Sequence, residues 1–287
     1  MEFAKATFDT AQSLSGMRIV VDCAHGAAYR TAPDTLAELG ADIVPLGVAP
    51  DGLNINLNCG ATAPAAMAKA VAEAGADIGI CLDGDADRLI LADEAGKICD
   101  GDQIIAALAL DAAAQGTLTG PVVGTVMSNL GLETALAEKG IGFERAAVGD
   151  RYIHERMVRT NSNLGGEPSG HILLPEMTRT GDGLIAALQV LSVMCRTGRT
   201  ASEILSCFTP VPQKLVNLRG MDKAILADER VKAEVTAVEA ELGEEGRVLL
   251  RPSGTEPLIR VMVEATDEAR LDAAMDRLVT VLTETAG

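Results

Sequence analysis

Three acidic residues stand on alternate positions of a short loop, and their spacing suits the binding of a divalent cation. Asp83, Asp85 and Asp87 lie within the segment DGDADR, between the apolar runs ICL and LILAD. Carboxylates this close repel one another unless a cation lies among them, and hard cations prefer oxygen ligands. Open α/β sheets bind ligands at the carboxyl ends of their strands, where this loop would lie. The pattern therefore predicts a metal site.

Three other interpretations of the acidic loop remain open from the residues alone. A solvated acidic turn would need no ion. An EF-hand shares the spacing of the three aspartates, and Glu94 falls at its twelfth position, but Arg88 occupies the sixth position, where the EF-hand needs glycine. A phosphatase would use Asp83 as a nucleophile at the end of the strand. The strand-like flanks disfavour the EF-hand, whose loop lies between helices.

The glycine-rich segment GGEPSGH, residues 165–171, combines groups that could contact a sugar. The carboxylate of Glu167 and the hydroxyl of Ser169 can hydrogen-bond adjacent sugar hydroxyls. The imidazole of His171 can transfer a proton near neutral pH. An ordinary polar turn is the alternative, so this segment is a candidate sugar-binding loop.

The segment RPSGTEP, residues 251–257, has the composition of a phosphate-binding loop between two strands. Arg251 can make a bidentate contact with phosphate, and Ser253 and Thr255 add hydroxyl donors. Gly254 would let backbone N–H groups approach the anion. A hairpin turn built from common turn residues is the alternative.

The elements that must position these loops follow from the hydrophobic pattern. Residues 1–112 alternate between strand-like and helix-like segments, and the pattern restarts at residue 122. Pro210 and Pro212 mark a change to a charged helical region, two strands and a final helix. Asp102 is the expected N-cap of a helix that starts at Gln103. We predict strands over residues 18–22, 41–46, 76–82, 89–93, 122–126, 247–251 and 258–265.

The predicted architecture is α/β. Two consecutive three-layer α/β domains with mostly parallel mixed sheets are followed by a small α+β domain. The expected boundaries are residues 1–115 for the metal-binding domain, 116–210 for the sugar-binding domain and 211–287 for the phosphate-binding domain.

Composition limits the partners of the chain. Hydrophobic residues make up 48% of the 287 residues, which is enough for sizeable cores, and the net charge is −17. A net negative charge of this size repels nucleic acid and anionic membranes, so neither is an expected partner. No signal peptide is visible at the N-terminus, and the six cysteines form no C-x-x-C pair, so free thiols in the cytoplasm are expected.

Taken in chain order, the three loops resemble those of the α-D-phosphohexomutase family. Its members carry a phosphoserine in a first domain, then a D-G-D-x-D-R metal loop, a G-E-x-S-G-H sugar loop and an R-x-S-G-T phosphate loop. This chain is most similar to the bacterial branch that acts on hexosamine phosphates. The similarity is carried by the loops and by the segments VDCAHGAAY, GLNINLNCG, VGDRY, TGDGL and RPSGTEPLIRVMVE.

The resemblance implies a role for each loop. Mg²⁺ would be held by the three aspartates, and Arg88 would lie beside the transferring phosphate. Glu167 and Ser169 would bind sugar hydroxyls, and His171 would be a candidate general acid or base. The other phosphate of the hexosamine phosphate would be held by four residues, with Arg260 and Arg151 as weaker candidates: Arg251, Ser253, Gly254 and Thr255.

No Ser-His-Asn-Pro loop occurs in these residues, although the family carries one in its first domain. The resemblance therefore implies that the chain starts near the family's second domain and that these residues alone do not catalyse the mutase reaction. A missing first domain or a second copy of the chain is the expected protein partner. A non-catalytic module that binds sugar phosphates is the alternative.

Overall fold

The computed structural model describes residues 1–252 and 258–286. The chain divides into two compact units, residues 1–128 with 132–208 and residues 129–131 with 209–287. Over the described residues, no helix has the length and apolar character needed to cross a membrane. The predicted boundaries between three domains stay a prediction.

The first unit contains a five-stranded mixed sheet with the strand order β2-β1-β3-β4-β5. β1 pairs in parallel with β2 and β3, whereas β3-β4 and β4-β5 are antiparallel. β3 and β4 are fully buried, which agrees with their unbroken apolar sequences. The strands are β1 (Arg18–Asp22), β2 (Asp42–Leu46), β3 (Ile78–Leu82), β4 (Leu89–Ala92) and β5 (Ile98–Cys99).

A second sheet of the same unit has the strand order β7-β6-β8-β9. β6 pairs in parallel with β7 and β8, and the short strand β9 is antiparallel to β8. The α/β class with mixed sheets is therefore confirmed. The strands are β6 (Val122–Thr125), β7 (Phe143–Ala146), β8 (Gly165–Gly166) and β9 (Ile172–Leu173).

The helices before residue 208 are set by short local signals. Asp100 caps α4 through a capping box with Gln103, so the cap lies two residues before the predicted cap at Asp102. Asp182 caps α7, which is buried along most of its length because its side chains are mostly apolar. The helices are α1 (Glu2–Lys5), α2 (Thr31–Glu38), α3 (Ala65–Ala74), α4 (Gly101–Gln115), α5 (Leu130–Glu138), α6 (Asp150–Thr160), α7 (Gly183–Thr197) and α8 (Ala201–Leu205).

The core of the first unit is aliphatic. One cluster of buried side chains joins β1, β3 and β4 to α4 and α7, and fully buried Leu82, Leu89 and Ile104 belong to it. Because β3 and β4 lie within this core, the loop between them is fixed at both ends. That loop is the acidic segment 83–88.

The second unit has a three-stranded antiparallel sheet, in the order β10-β12-β11 over the described residues. Apolar residues of its strands and two long helices form a separate core. The buried carboxylate of Glu264 on β12 pairs with Arg247 on β11. The elements are β10 (Gln213–Arg219), α9 (Glu229–Leu242), β11 (Gly246–Pro252), β12 (Leu258–Ala265) and α10 (Glu268–Ala286).

Candidate functional site

The acidic loop follows β3 directly, and its three aspartates converge. One carboxylate oxygen from each of Asp83, Asp85 and Asp87 lies within 4.8 Å of the others. Asp83 is 4% exposed, whereas Asp85 is exposed and Asp87 is half-buried. Ala86 turns the loop through a left-handed conformation with φ of +65°. The flanking elements are strands rather than helices, so the EF-hand interpretation is wrong.

The electrostatics of this loop are unfavourable without a cation. Burial, together with the charges of Asp87 and Asp85, raises the pKa of the Asp83 carboxyl, although the Arg88 N–H acts in the opposite direction. Arg88 is the nearby counter-charge, and its Nε lies 3.5 Å from Asp83 Oδ2 and 3.8 Å from Asp87 Oδ1. Its side chain is 45% exposed, so solvent screens these contacts.

The donor set fits a hard divalent cation. Carboxylate oxygens are the ligands that Mg²⁺ prefers, and three are gathered here. Oδ1 of Asp87 is buried and accepts no hydrogen bond from the described residues. A buried anionic oxygen without a donor is costly, and a bound cation would remove that cost.

The predicted sugar loop is also well organised. Glu167 Oε1 accepts a hydrogen bond of 2.9 Å from the Gly149 N–H, at the start of α6. Ser169 Oγ donates to Glu167 Oε2 over 3.1 Å. The two predicted sugar ligands therefore form one polar group, and Gly149 supports it although the residue pattern did not identify that role.

Backbone hydrogen bonds join the acidic loop and the strand after it to the sugar loop and to the start of α7. The Leu89 N–H donates to Gly170 O over 2.9 Å, and the Gly183 N–H donates to Ala86 O over 2.9 Å. Gly170 has φ of +92°, and a Cβ at this position would lie 2.1 Å from the Leu89 carbonyl oxygen. The structure thus brings the predicted metal and sugar residues together at one edge of the first unit.

His171 lies between these two loops. Its Nδ1 is 3.2 Å from Asp87 Oδ2, and the residue is 8% exposed. Its ring faces Gly181, where a Cβ would lie 2.5 Å from both Cε1 and Nε2. Nε2 is buried and has no hydrogen-bond partner among the described residues. The acid–base role of His171 stays a prediction.

The second unit holds Arg251 of the predicted phosphate loop. Arg251 on β11 pairs directly with Arg260 on β12. The Nε atoms of both are buried without a hydrogen-bond partner in the described part of the unit. Burial and the charge of Arg260 lower the pKa of the Arg251 guanidinium. The other predicted members of the loop lie outside the described residues: Ser253, Gly254 and Thr255.

Two further residues differ in how well the structure supports a role. Arg151 is 82% exposed and pairs with Glu155 on its own helix, so its role stays a prediction. Gly181 was singled out by resemblance only as part of the TGDGL segment, and the structure places it against His171. A glycine-rich segment before a helix was the only sequence signal for this contact.

The structure is that of an α/β protein in which the acidic and sugar loops lie together beside the ends of strands. Family models described as phosphoglucomutase/phosphomannomutase match most of the chain. Alpha/beta/alpha domain II matches residues 1–96, alpha/beta/alpha domain III matches residues 100–211, and the C-terminal domain matches residues 215–281. The chain belongs to the phosphoglucomutase/phosphomannomutase family, which confirms the resemblance.

Curated relatives agree with this family. A phosphoglucosamine mutase from Paracoccus denitrificans is 54% identical over 290 residues, covering 100% of this chain and 64% of the relative. Another from Granulibacter bethesdensis is 53% identical over 287 residues, covering 100% of this chain and 63% of the relative. The chain therefore spans less than two thirds of the length of these relatives.

Solved structures show the same fold at low sequence identity. A phosphoglucomutase/phosphomannomutase family protein from Burkholderia thailandensis has a TM-score of 0.82 and 20% identity, covering 99% of this chain and 63% of that one. Aspergillus fumigatus N-acetylphosphoglucosamine mutase, in complex with GlcNAc-6P and magnesium, has a TM-score of 0.76 and 21% identity. That match covers 99% of this chain and 64% of the other.

Proposed function

We propose that this chain supplies the metal-, sugar- and phosphate-binding parts of a phosphoglucosamine mutase. Such an enzyme interconverts glucosamine 6-phosphate and glucosamine 1-phosphate through a phosphoserine and a 1,6-bisphosphate. The proposal rests mainly on the hydrogen bond between the Leu89 N–H and the Gly170 carbonyl oxygen, which holds the acidic loop beside the sugar loop. The choice of a hexosamine rests on the 54% identity with the Paracoccus denitrificans relative.

The first proposed role is the binding of Mg²⁺ by Asp83, Asp85 and Asp87. Bound there, the ion would stabilise the negative charge that spreads over a phosphoryl group during its transfer. Arg88 would add a second positive charge beside that group. Its exposed side chain contacts the carboxylates only at 3.5 and 3.8 Å, so it is free to turn toward a phosphate.

The second proposed role is orientation of the sugar. Glu167 is already held by the Gly149 N–H and by Ser169, so little conformational freedom would be lost when its carboxylate accepts a sugar hydroxyl. Ser169 can donate to or accept from a neighbouring hydroxyl. Both residues are tied through the Gly170 carbonyl to the loop that would hold the metal.

The third proposed role is anchoring of the phosphate that is not transferred. Arg251 and Arg260 are adjacent cations, and their Nε atoms lack partners in the described part of the chain. A phosphate dianion would offset their repulsion and accept their N–H groups. Ser253, Gly254 and Thr255 are proposed, from the sequence pattern, to complete this anchor.

The phosphoryl donor is proposed to be a serine outside these 287 residues, carried by a first domain of the family type. These residues contain no Ser-His-Asn-Pro loop. We therefore propose that they bind substrate but do not turn it over unaided. The proposed location is the cytoplasm, which the six free cysteines support.

A turnover assay tests this proposal. The purified chain is mixed with glucosamine 6-phosphate, glucosamine 1,6-bisphosphate and Mg²⁺, and the 1-phosphate is followed by phosphorus NMR. A second sample adds the part of the Paracoccus denitrificans relative that this chain does not match. We expect turnover only in the second sample. Robust turnover by the chain alone would contradict the proposed need for an outside serine.

Calorimetric titration separates the alternatives. Binding of glucosamine 1-phosphate without turnover in either sample favours a non-catalytic sugar-phosphate module, and absence of binding contradicts the proposed site. Glucose 6-phosphate and mannose 6-phosphate serve as competing substrates. Faster turnover of either one would favour phosphoglucomutase or phosphomannomutase instead. Acid-labile, hydroxylamine-sensitive phosphate on the chain would favour the phosphatase that uses Asp83.

A further inference from the structure

We propose that His171 is a positioning residue that fixes the carboxylate of Asp87 for metal binding, and that it does so through Nδ1. This inference rests on the proposed metal site. It differs from the predicted acid–base role, in which a ring nitrogen of His171 exchanges a proton with a substrate hydroxyl.

The geometry of the imidazole supports this assignment. Nδ1 lies 3.2 Å from Asp87 Oδ2, which is within reach of an N–H donor. Nε2 has no hydrogen-bond partner among the described residues and is buried beside Gly181. A group that exchanges a proton with a substrate needs an accessible atom, and Nε2 is enclosed. Nδ1, the ring nitrogen with a polar neighbour, therefore faces Asp87, a proposed metal ligand.

Asp87 needs such support more than Asp83 does. Asp83 Oδ1 accepts a hydrogen bond from the Arg88 N–H and is held within its own loop. Asp87 receives no hydrogen bond at Oδ1 from the described residues, and its cationic neighbour there is Arg88 Nε at 3.8 Å. His171, whose Nδ1 lies 3.2 Å from Oδ2, can therefore select one orientation of this carboxylate.

The backbone of His171 is held in place by hydrogen bonds. The Glu167 N–H donates to the His171 carbonyl oxygen over 3.0 Å, and the next residue, Ile172, pairs with Gly166 in the β8–β9 ladder. Gly181 packs against the ring, where a Cβ would lie 2.5 Å from Cε1 and Nε2 and 2.9 Å from Nδ1. Residues that orient metal ligands act in this way, because a ligand held in place loses less freedom when the ion binds.

The test measures binding of Mn²⁺ by electron paramagnetic resonance in the absence of substrate. Two substitutions separate the ring nitrogens, because the amide nitrogen of Asn lies where Nδ1 was and that of Gln lies where Nε2 was. We expect His171→Gln to weaken Mn²⁺ binding by about tenfold or more, whereas His171→Asn retains most of the affinity. His154→Gln, at an exposed position on α6, is the matched control and should bind as the wild type does.

Gly181→Ala gives an independent test without removal of a functional group. Its new methyl would overlap the imidazole, so the ring must shift and Mn²⁺ affinity should fall, by roughly tenfold. Circular dichroism and thermal denaturation show whether each variant is folded. If His171→Gln does not fold, the comparison of His171→Asn with Gly181→Ala decides the question.

The outcomes separate this inference from the function on which it rests. If the wild type does not bind Mn²⁺, the proposed metal site is wrong and this inference fails with it. If the wild type binds Mn²⁺ and folded His171→Gln and Gly181→Ala bind it equally well, only the positioning role is overturned. Retention by Gln with loss by Asn would assign the function to Nε2 and would also overturn it.

Discussion

Arg251 and Arg260 stand directly opposite each other on β11 and β12, so two guanidinium groups share one face of the hairpin. Like charges at directly opposite positions of a sheet are destabilising, and burial of both Nε atoms increases the cost. The pair is therefore expected to be more stable with an anion bound.

Substitution of either arginine should weaken phosphate binding and relieve this repulsion. We expect Arg251→Met and Arg260→Met each to weaken binding of glucosamine 1-phosphate by about tenfold or more, as the loss of a charge-assisted hydrogen bond predicts. In phosphate-free buffer both variants should be slightly more stable than the wild type, by up to about 1 kcal/mol. Calorimetry and urea denaturation measure the two effects. Arg159→Met, at an exposed position, is the control. Unchanged affinity for glucosamine 1-phosphate in both variants would contradict the proposed phosphate anchor.

Asp83→Asn should stabilise the metal-free protein and abolish its stabilisation by Mg²⁺. Burial raises the pKa of the Asp83 carboxyl, so its ionisation costs stability as the pH rises from the unfolded-state pKa through the folded-state pKa. Removing the charge removes that cost, but it also removes a proposed metal ligand. Thermal denaturation at neutral pH, with and without excess Mg²⁺, measures both effects. Exposed Asp276→Asn is the control, and a variant that still gains stability from Mg²⁺ would contradict the metal site.

Glu167→Gln should impair sugar binding while it leaves metal binding intact. The amide keeps one oxygen acceptor but loses the charge that the Gly149 N–H and Ser169 hydroxyl now stabilise. We expect binding of glucosamine 1-phosphate to weaken by roughly tenfold, and Mn²⁺ affinity to stay the same. The exposed Glu138→Gln is the control. Equal loss of affinity for glucosamine 1-phosphate and for Mn²⁺ would mean that Glu167 stabilises both loops rather than binding the sugar alone.

Glu94 gives a prediction that depends on pH and lies away from the site. Burial alone would raise the pKa of Glu94, but hydrogen bonds from the Ser202 hydroxyl and N–H bring it below its ordinary value of 4.5. A lowered pKa adds stability above the unfolded-state pKa, and that stability is lost as the pH falls through the folded-state pKa.

Glu94→Gln should therefore cost about 1 to 2 kcal/mol at neutral pH, and the difference from wild type should shrink in acid. Urea denaturation across an acid pH series measures this difference, with Glu138→Gln as the control. A difference that stays constant through the series would show that the carboxylate charge does not matter.

Much of the fold could be predicted because the first sheet has strong local signals. The buried strand at residues 78–82 is an unbroken apolar run, and Pro64 and Gly75 mark the ends of α3. β10 was not predicted, because Gln213–Arg219 is a largely exposed edge strand with mixed polar and apolar residues. Its pairing with β12 depends on the tertiary structure rather than on local pattern.

The candidate site was predicted in its residues but not in its connections. Alternate aspartates after a buried strand are visible in the sequence, so Asp83, Asp85 and Asp87 could be chosen without coordinates. The contact between His171 and Asp87 joins residues far apart in the chain, and no spacing rule reports it. The N-cap of α4 was wrongly predicted to be Asp102. Asp100 and Asp102 both match the preference for aspartate at an N-cap, and only the backbone conformation distinguishes them.

The two glycines at the junction of the loops also limit how this protein can vary. At residue 170 a methyl group would strike the Leu89 carbonyl, and at residue 181 it would strike the imidazole of His171. Both places are filled by neighbouring atoms, so neither tolerates even the smallest side chain without a shift of its surroundings. A mutagenesis library should therefore be depleted of every replacement at these two positions, including alanine, although neither glycine has a functional group.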